Sequence, residues 1–221
     1  NRRPSNQVDC FCADIADLDA IRPAFEDVDV VVHLAAIVQM EGPFENIQKY
    51  NVTGTYNVFE AARQAGVKRI VFASSGSVIS GWEAESPYRE LVAGTYDAVP
   101  DTWEKLTHET PVRPTALYGC SKVWGESIGR HFSDAHGLSV ICLRIGHVSK
   151  EDRPTTPRDY SVWCSQRDIA QMVARCIDGP VDLAFDIFYA VSNNRWSYRD
   201  ITHAHKVVGY TPEDAAEDHR G

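Results

Sequence analysis

The sequence predicts an α/β protein built on a doubly wound parallel sheet, and two observations carry that prediction. Short β-branched runs alternate with longer amphipathic stretches along the chain, the order expected of parallel strands joined by crossover helices. The runs are also almost continuously apolar, as in Val28-Asp-Val-Val-Val-His-Leu34, which suits strands covered on both faces. With 221 residues, 43% of them hydrophobic, the chain can bury one large core.

Taken in order, Gln7 to Cys12 is expected to form a short strand that ends at the Asp14-Ile15 turn. Asp17 to Asp27 spaces Ile21 and Phe25 one turn apart, which predicts a short amphipathic helix. Val28 to Leu34 is the next strand. Phe44 to Ala65 carries Ile47, Val52, Val58, Phe59 and Ala62 at helical spacing, and Gly66 stops that helix. Arg69 to Ser74 is a buried strand. Gly76 to Pro114 is irregular and rich in aromatic residues, and so long a loop is usually functional or covers a site. A helix follows from Arg113-Pro114-Thr115 to about His136, where Gly137 ends it. Leu138 to Ile145 is a strand, and the Pro/Thr-rich stretch from Lys150 to Tyr160 has no periodicity. Ser165 to Ile177 is predicted helical, Phe185 to Val191 a strand, and Ser197 to Val208 a last helix closed by Gly209. Neither a repeat nor a linker divides residues 1–221, so a single domain is expected.

Composition excludes several classes. Against 31 acidic residues there are 22 basic ones, a net charge of −9, and no Lys/Arg cluster offsets it, which argues against nucleic acid as a partner. No apolar run approaches about 18 residues, so no membrane span is expected. The six cysteines (10, 12, 120, 142, 164 and 176) include no Cys-x-x-Cys pair and no clustered Cys/His ligand set, so no metal is expected. Unpaired thiols fit a reducing, cytoplasmic setting.

The chemistry centres on Tyr118-Gly-Cys-Ser-Lys122. On a helix these two side chains stand one turn apart on one face. An ammonium beside a phenol lowers its pKa, so the pair can serve as an acid/base near neutral pH. Tyr-x-x-x-Lys is common by chance, and the weight of the argument lies in its surroundings. In a doubly wound sheet ligands bind at the carboxyl ends of the strands. Asp14, His33-Leu-Ala-Ala36, Ser74-Ser75 and Ile145-Gly-His147 all follow strands and would share one edge with Tyr118 and Lys122. Read blandly, Ser74 and Ser75 cap a strand, His33 is a satisfied core histidine, Trp163 is core, His147 is divided between pocket wall and packing, and Arg158 is a surface charge.

Five motifs in order, His33-Leu-Ala-Ala36, Asn51-Val-Thr-Gly-Thr-Tyr-Asn57, Val71-Phe-Ala-Ser-Ser75, Tyr118-Gly-Cys-Ser-Lys122 and Leu143-Arg-Ile-Gly146, resemble those of the extended short-chain dehydrogenases/reductases, the NAD-dependent epimerase/dehydratase superfamily. The resemblance runs from about Val8 to Asp214. Within it, Arg144-Ile-Gly146, Ser161-Val-Trp-Cys-Ser-Gln-Arg-Asp168 and the ending Gly209 to Glu217 are most similar to the uronate dehydrogenase-like aldose 1-dehydrogenases.

The resemblance implies a Rossmann-like NAD(P)-binding domain with a small C-terminal substrate lobe within about 147–221. It implies NAD as cofactor, with NADP also open, a small-molecule sugar as substrate, and a homodimer as an open assembly. Asp14 and Ile15 would contact the adenine, and Leu34, Ala35, Ala36 and Ile145 would line the dinucleotide. Ser75 would hydrogen-bond the reacting oxygen and Tyr118 would be the base. Lys122 would hold the nicotinamide ribose, with Asn51 behind it through a water. Gly76, Ser77, His147 and Arg158 would face the substrate, Arg158 aligning with a carboxylate-binding arginine.

The uronate pattern has Ser where Val38 stands, Asn-His where Gly76-Ser77 stands, and Ser where His147 stands, so the substrate pocket is altered. The expected reaction is oxidation of a sugar or uronic acid at C1 to a lactone. Nucleotide-sugar epimerisation or dehydration by the same residues, and a non-catalytic dinucleotide-binding regulator, are the alternatives. The chain opens Asn1-Arg-Arg-Pro4 with no strand ahead of it and holds no Gly-x-x-Gly-x-x-Gly turn. From sequence, the first β-α-β segment is therefore expected to be missing and NAD binding by this stretch to be weak.

Overall fold

A computed structural model describes residues 10–38 and 42–220. Four parallel strands, β1 (Val30–His33), β2 (Arg69–Ser75), β3 (Ser139–Ile145) and β4 (Phe185–Ala190), lie in the order β1-β2-β3-β4. Register is continuous, with Phe72 beside both His33 and Cys142, and Ser75 beside Ile145. The parallel α/β sheet predicted from the apolar runs is therefore present. Of the strand expected over Gln7–Cys12, residues 7–9 lie outside the described residues, and Cys10 to Cys12 are not in a strand.

Eight helices accompany the sheet among the described residues: α1 (Leu18–Ile21), α2 (Phe44–Asn46), α3 (Gly54–Ala65), α4 (Tyr88–Ala93), α5 (Leu117–His136), α6 (Asp159–Val162), α7 (Gln166–Ile177) and α8 (Thr202–Val208). The period of two along each strand decides what covers which face. Ile70, Phe72, Val140 and Cys142 pack with Phe59 and Phe132 of α3 and α5. Val71, Ile141 and Leu143 pack with Met172, Cys176, Ala204 and Val208 of α7 and α8.

Close approach of α5 depends on its glycines. A Cβ on Gly125 would sit 2.2 Å from Phe72, and one on Gly129 would sit 2.9 Å from Val140. These residues weaken the helix intrinsically and are kept because the sheet leaves no room for more.

Several boundaries differ from the sequence prediction for local reasons. The helix expected over Asp17–Asp27 is α1 followed by a 3₁₀ turn, Arg22–Phe25. Pro23 removes an amide donor there, while Asp17 caps the start by accepting from Ala20 N at 3.1 Å. The helix expected from Phe44 to Ala65 is continuous only with a π-helical stretch, Ile47–Thr53, between α2 and α3. The helix expected from Ser197 begins only at Thr202, because Asp200 accepts from both Thr202 N and its hydroxyl.

The segment from Gly76 to Pro114 is more ordered than its composition predicts. It winds through a 3₁₀ helix, Gly76–Ala84, and α4. There Val78, Ile79, Tyr88, Leu91 and Leu106 bury against Val162, Tyr189 and Tyr198 in a third core cluster. Burying side chains of this size is worth roughly 1.5–3 kcal/mol each, which fixes the segment over the carboxyl end of the sheet. No described helix is long and apolar enough to cross a membrane.

Candidate active site

The site grows from the ends of β2 and β3 and the first turns of α5. A cavity of about 340 Å³ is lined by Ser74 to Ser77, Tyr118, Lys122, Ile145 to Val148, Arg158 and Arg199, with Leu34, Ala36 and Val38 on its other wall. Every substrate-facing position expected from sequence, Ser75, Gly76, Ser77, His147 and Arg158, is on this surface. A second cavity of about 620 Å³ is lined by Cys12 to Ile15, Leu34 to Ile37 and Tyr50. Leu34 and Ala36 border both, so the two form one groove along the strand ends.

Tyr118 is buried in the second residue of α5. Burial pushes its phenol above the ordinary value, and the neighbouring Ser75 hydroxyl acts in the opposite direction. Lys122 Nζ donates to the carbonyl of Ala73 at 2.7 Å and lies 5.6 Å from the centre of the Tyr118 ring. Burial pushes this amine down to about 8. The expectation from sequence that Lys122 lowers the tyrosine's pKa is therefore corrected. Desolvation of the phenol dominates, and the ammonium is itself weakened by burial and engaged by Ala73.

Ser75 Oγ donates to Ser77 Oγ and accepts from Ser77 N, both at 3.1 Å. Ser74, also on the cavity wall, donates its hydroxyl to Glu126 at 2.6 Å. Asn51 sits in the π-helical stretch, a distortion that recurs at functional sites. Its Oδ1 accepts from Ile37 N at 2.8 Å, and its Nδ2 donates to Ile37 O and Ser121 Oγ, each at 3.0 Å. Asn51 pins the loop after β1 and the residue next to Lys122.

His33 is buried, 3.3 Å from the Thr55 hydroxyl, and burial drives it down to about 3, so it is a neutral structural histidine. His147 Nδ1 lies 2.6 Å from Asp159, whose other oxygen accepts from Thr155 N and Thr156 N. Burial opposes the Asp159 charge, but the Thr155 amide and His147 outweigh it and hold the carboxyl below its usual range. Arg158, expected to be a free carboxylate clamp, already gives Nε and Nη2 to Glu83 at 2.8 and 2.6 Å.

At the far end, the Ile15 side chain packs over Gly54, whose Cβ would lie 2.6 Å away, while its carbonyl accepts from Asn57 at 3.0 Å. Asp14 pairs with Lys49 at 3.0 Å. Leu34 stands 64% exposed on the shared wall, an apolar shelf of the kind on which a flat ring packs. An elongated groove with apolar shelves and few polar groups fits a dinucleotide. The candidate holders are Asp14, Ile15, Leu34, Ala35, Ala36, Ile145, Tyr118 and Lys122.

Four features escape a reading of the sequence. Arg199, expected within a helix, instead enters the cavity wall. Glu83 and Asp159 lie in stretches without periodicity, and only the Thr155-Thr156 amides upstream hint at Asp159. His108, Asp186 and His203 bring ligand atoms within 4.8 Å of one another from three distant segments, with His203 Nε2 2.8 Å from Asp186. That cluster qualifies the expectation that no such grouping exists.

A family profile described as NAD dependent epimerase/dehydratase family matches residues 1–180. An NAD-dependent glucose-6-phosphate dehydrogenase of Haloferax volcanii is 33% identical over 95% of this chain and 77% of its own length. A uronate dehydrogenase of Pseudomonas syringae pv. tomato is 34% identical over 92% of this chain and 66% of its own. The crystal structure of a uronate dehydrogenase from Agrobacterium tumefaciens matches with a TM-score of 0.80 and 31% identity, covering 98% of this chain and 74% of that one. A tyrosine-to-alanine mutant of uronate dehydrogenase from the same organism, complexed with NAD, matches with a TM-score of 0.79 at the same 31% identity, over 98% of this chain and 75% of that one.

Proposed function

The chain belongs to the NAD-dependent epimerase/dehydratase family, and on that footing we propose that it oxidises a free sugar at C1 to a lactone. The supporting observation is one cavity that gathers Ser75, Tyr118 and Lys122 and continues along Leu34 and Ala36 into a groove ending at Asp14 and Ile15. At about 340 Å³ the catalytic end is at the small end of ligand-pocket sizes, which supports a monosaccharide over a nucleotide sugar.

NAD, when bound, supplies the acceptor for the C1 hydride. The chain's residues do the rest. Tyr118 acts in its deprotonated form, the tyrosinate oxygen taking the proton of the C1 hydroxyl to become the neutral phenol that burial favours. Ser75 Oγ, held by Ser77, orients that hydroxyl and steadies the charge that grows on its oxygen. Lys122 keeps a positive charge beside the phenol from a fixed position on Ala73. Asn51 acts through Ile37 and Ser121 as a positioning residue.

The test is a panel of free aldoses, uronates, sugar phosphates and nucleotide sugars with NAD and with NADP. Formation of reduced cofactor together with a lactone is expected for a free sugar. Conversion of a nucleotide sugar without net cofactor reduction would replace this reading with an epimerase.

A further inference from the structure

His147 stands where the uronate dehydrogenase pattern has a serine, and its imidazole is held as a directed group. The backbone is fixed just past β3, with His147 N donating to Val162 O at 2.8 Å and Cys164 N donating to His147 O at 3.0 Å. Nδ1 lies 2.6 Å from Oδ1 of Asp159, whose side chain is only 3% exposed. The other oxygen of Asp159 accepts from Thr155 N, Thr156 N and the Thr155 hydroxyl at 2.8, 2.9 and 3.0 Å.

A carboxylate held by those donors only accepts, so a neutral imidazole beside it carries its proton on Nδ1. The lone pair is then on Nε2, which makes no hydrogen bond among the described residues. The imidazole is 45% exposed and lines the catalytic cavity. A buried carboxylate, a fixed Nδ1–H and a bare Nε2 are the parts of a general base. The dehydrogenation proposed above leaves this base unused, because there the proton passes to Tyr118.

The cavity itself makes an electrophile for such a base. Ser75 is the register neighbour of Ile145, just ahead of His147, so the ends of β2 and β3 bring Ser75 and His147 onto one surface with Tyr118. A single sugar ring and its waters fill about 340 Å³. A lactone whose C1 oxygen meets Ser75 and Tyr118 is therefore reached by His147 through a water. Once hydride has left C1, Tyr118 is a neutral phenol and can donate to that same oxygen.

We propose that the cavity carries a second activity, hydrolysis of a sugar 1,5-lactone, with His147 as the general base and Asp159 as its positioning residue. The proposal rests on the sugar dehydrogenase reading for the origin of the lactone. Nε2 takes a proton from water as the water oxygen bonds to C1, and the carbonyl electrons move onto the C1 oxygen, which Tyr118 and Ser75 steady. As the tetrahedral centre collapses, the bond from C1 to the ring oxygen breaks, and that oxygen takes the proton from Nε2. Lactone and water become the open-chain aldonic acid, with nothing oxidised or reduced.

The test supplies glucono-1,5-lactone without NAD and follows acid release in a pH-stat against the spontaneous rate. Hydrolysis should be saturable and faster than that rate. In His147→Ala, with folding checked by melting temperature, kcat should fall roughly 100-fold or more. Added imidazole should restore part of the loss, because it replaces the missing base. Asp159→Asn should turn its amide N–H toward Nδ1 and move the imidazole proton to Nε2, lowering kcat roughly tenfold or more. Nitrogen NMR of His147 should show that change of tautomer, which a merely structural role for Asp159 would not produce.

The proposal is overturned if the chain opens the lactone no faster than buffer does, or if His147→Ala hydrolyses as the wild type does. It is also overturned if imidazole restores nothing to that variant, since His147 would then be a binding contact alone. Acid release by a chain that reduces NAD with no sugar would contradict the dehydrogenase reading and leave this one standing. Oxidation of a sugar whose lactone opens only at the spontaneous rate would contradict this one alone.

Discussion

The ammonium of Lys122 donates to the carbonyl of Ala73 at 2.7 Å, tying the helix that carries Tyr118 to the strand that ends in Ser75. The position of the charge costs stability. Burial lowers Lys122 from 10.5 to about 8, so between those values the unfolded chain holds a proton the folded chain lacks. Stability from this group therefore rises with pH from about 8 to 10.5, and the full cost of burial is present below 8. Lys122→Met should melt at a higher temperature near pH 7 while kcat falls by roughly 10²-fold or more. A variant that melts lower and keeps its kcat would contradict both roles.

Glu126 and Arg144 form a buried, two-pronged ion pair at 2.9 Å in each arm, and Ser74 adds a third bond to the carboxylate. This pair clamps α5 to β2 and β3. Removing one partner strands the other charge, so Glu126→Ala should cost about 3–5 kcal/mol in denaturant unfolding. A loss below about 1 kcal/mol would show that the clamp is not needed.

His33 contributes with the same sign in a more acidic window. Its folded value of about 3 lies below the ordinary 6.5, so its contribution is complete above 6.5 and is lost as pH falls toward 3. In that window wild-type stability should fall more steeply than that of His33→Gln, by up to about 1.4 kcal/mol per pH unit. Parallel profiles would mean that His33 is not buried neutral.

These relationships show what the sequence could and could not reveal. The strands were legible because Ile70, Val71, Phe72 and their neighbours form uninterrupted apolar runs that only a doubly covered sheet uses. Tyr118 and Lys122 were legible because they stand one turn apart on a helix, and Ser75 because it closes an apolar strand. Arg199 was not, because its bridge to Leu106, far back in the chain, holds it extended ahead of the helix that begins at Thr202. The pairing of Arg158 with Glu83 is equally non-local. The Gly76 to Pro114 segment looked irregular because its core partners, Val162, Tyr189 and Tyr198, come from elsewhere in the chain.

Asn51 tests the division between positioning and chemistry. Its side-chain bonds run to Ile37 and Ser121, so Asn51→Ala should free the loop that follows β1. NAD affinity measured by titration should drop roughly tenfold, with a smaller change in kcat. A loss confined to kcat would restore Asn51 to the catalytic group.

The most direct test of the account is the single-turnover rate of Tyr118→Phe with its best sugar. The substitution removes one hydroxyl from a buried ring and leaves Lys122 on Ala73 and the groove beyond Leu34 in place. The account predicts a rate roughly 10²–10⁴-fold below wild type, with NAD affinity within a few-fold of it. A Phe variant that turns over near the wild-type rate would contradict it.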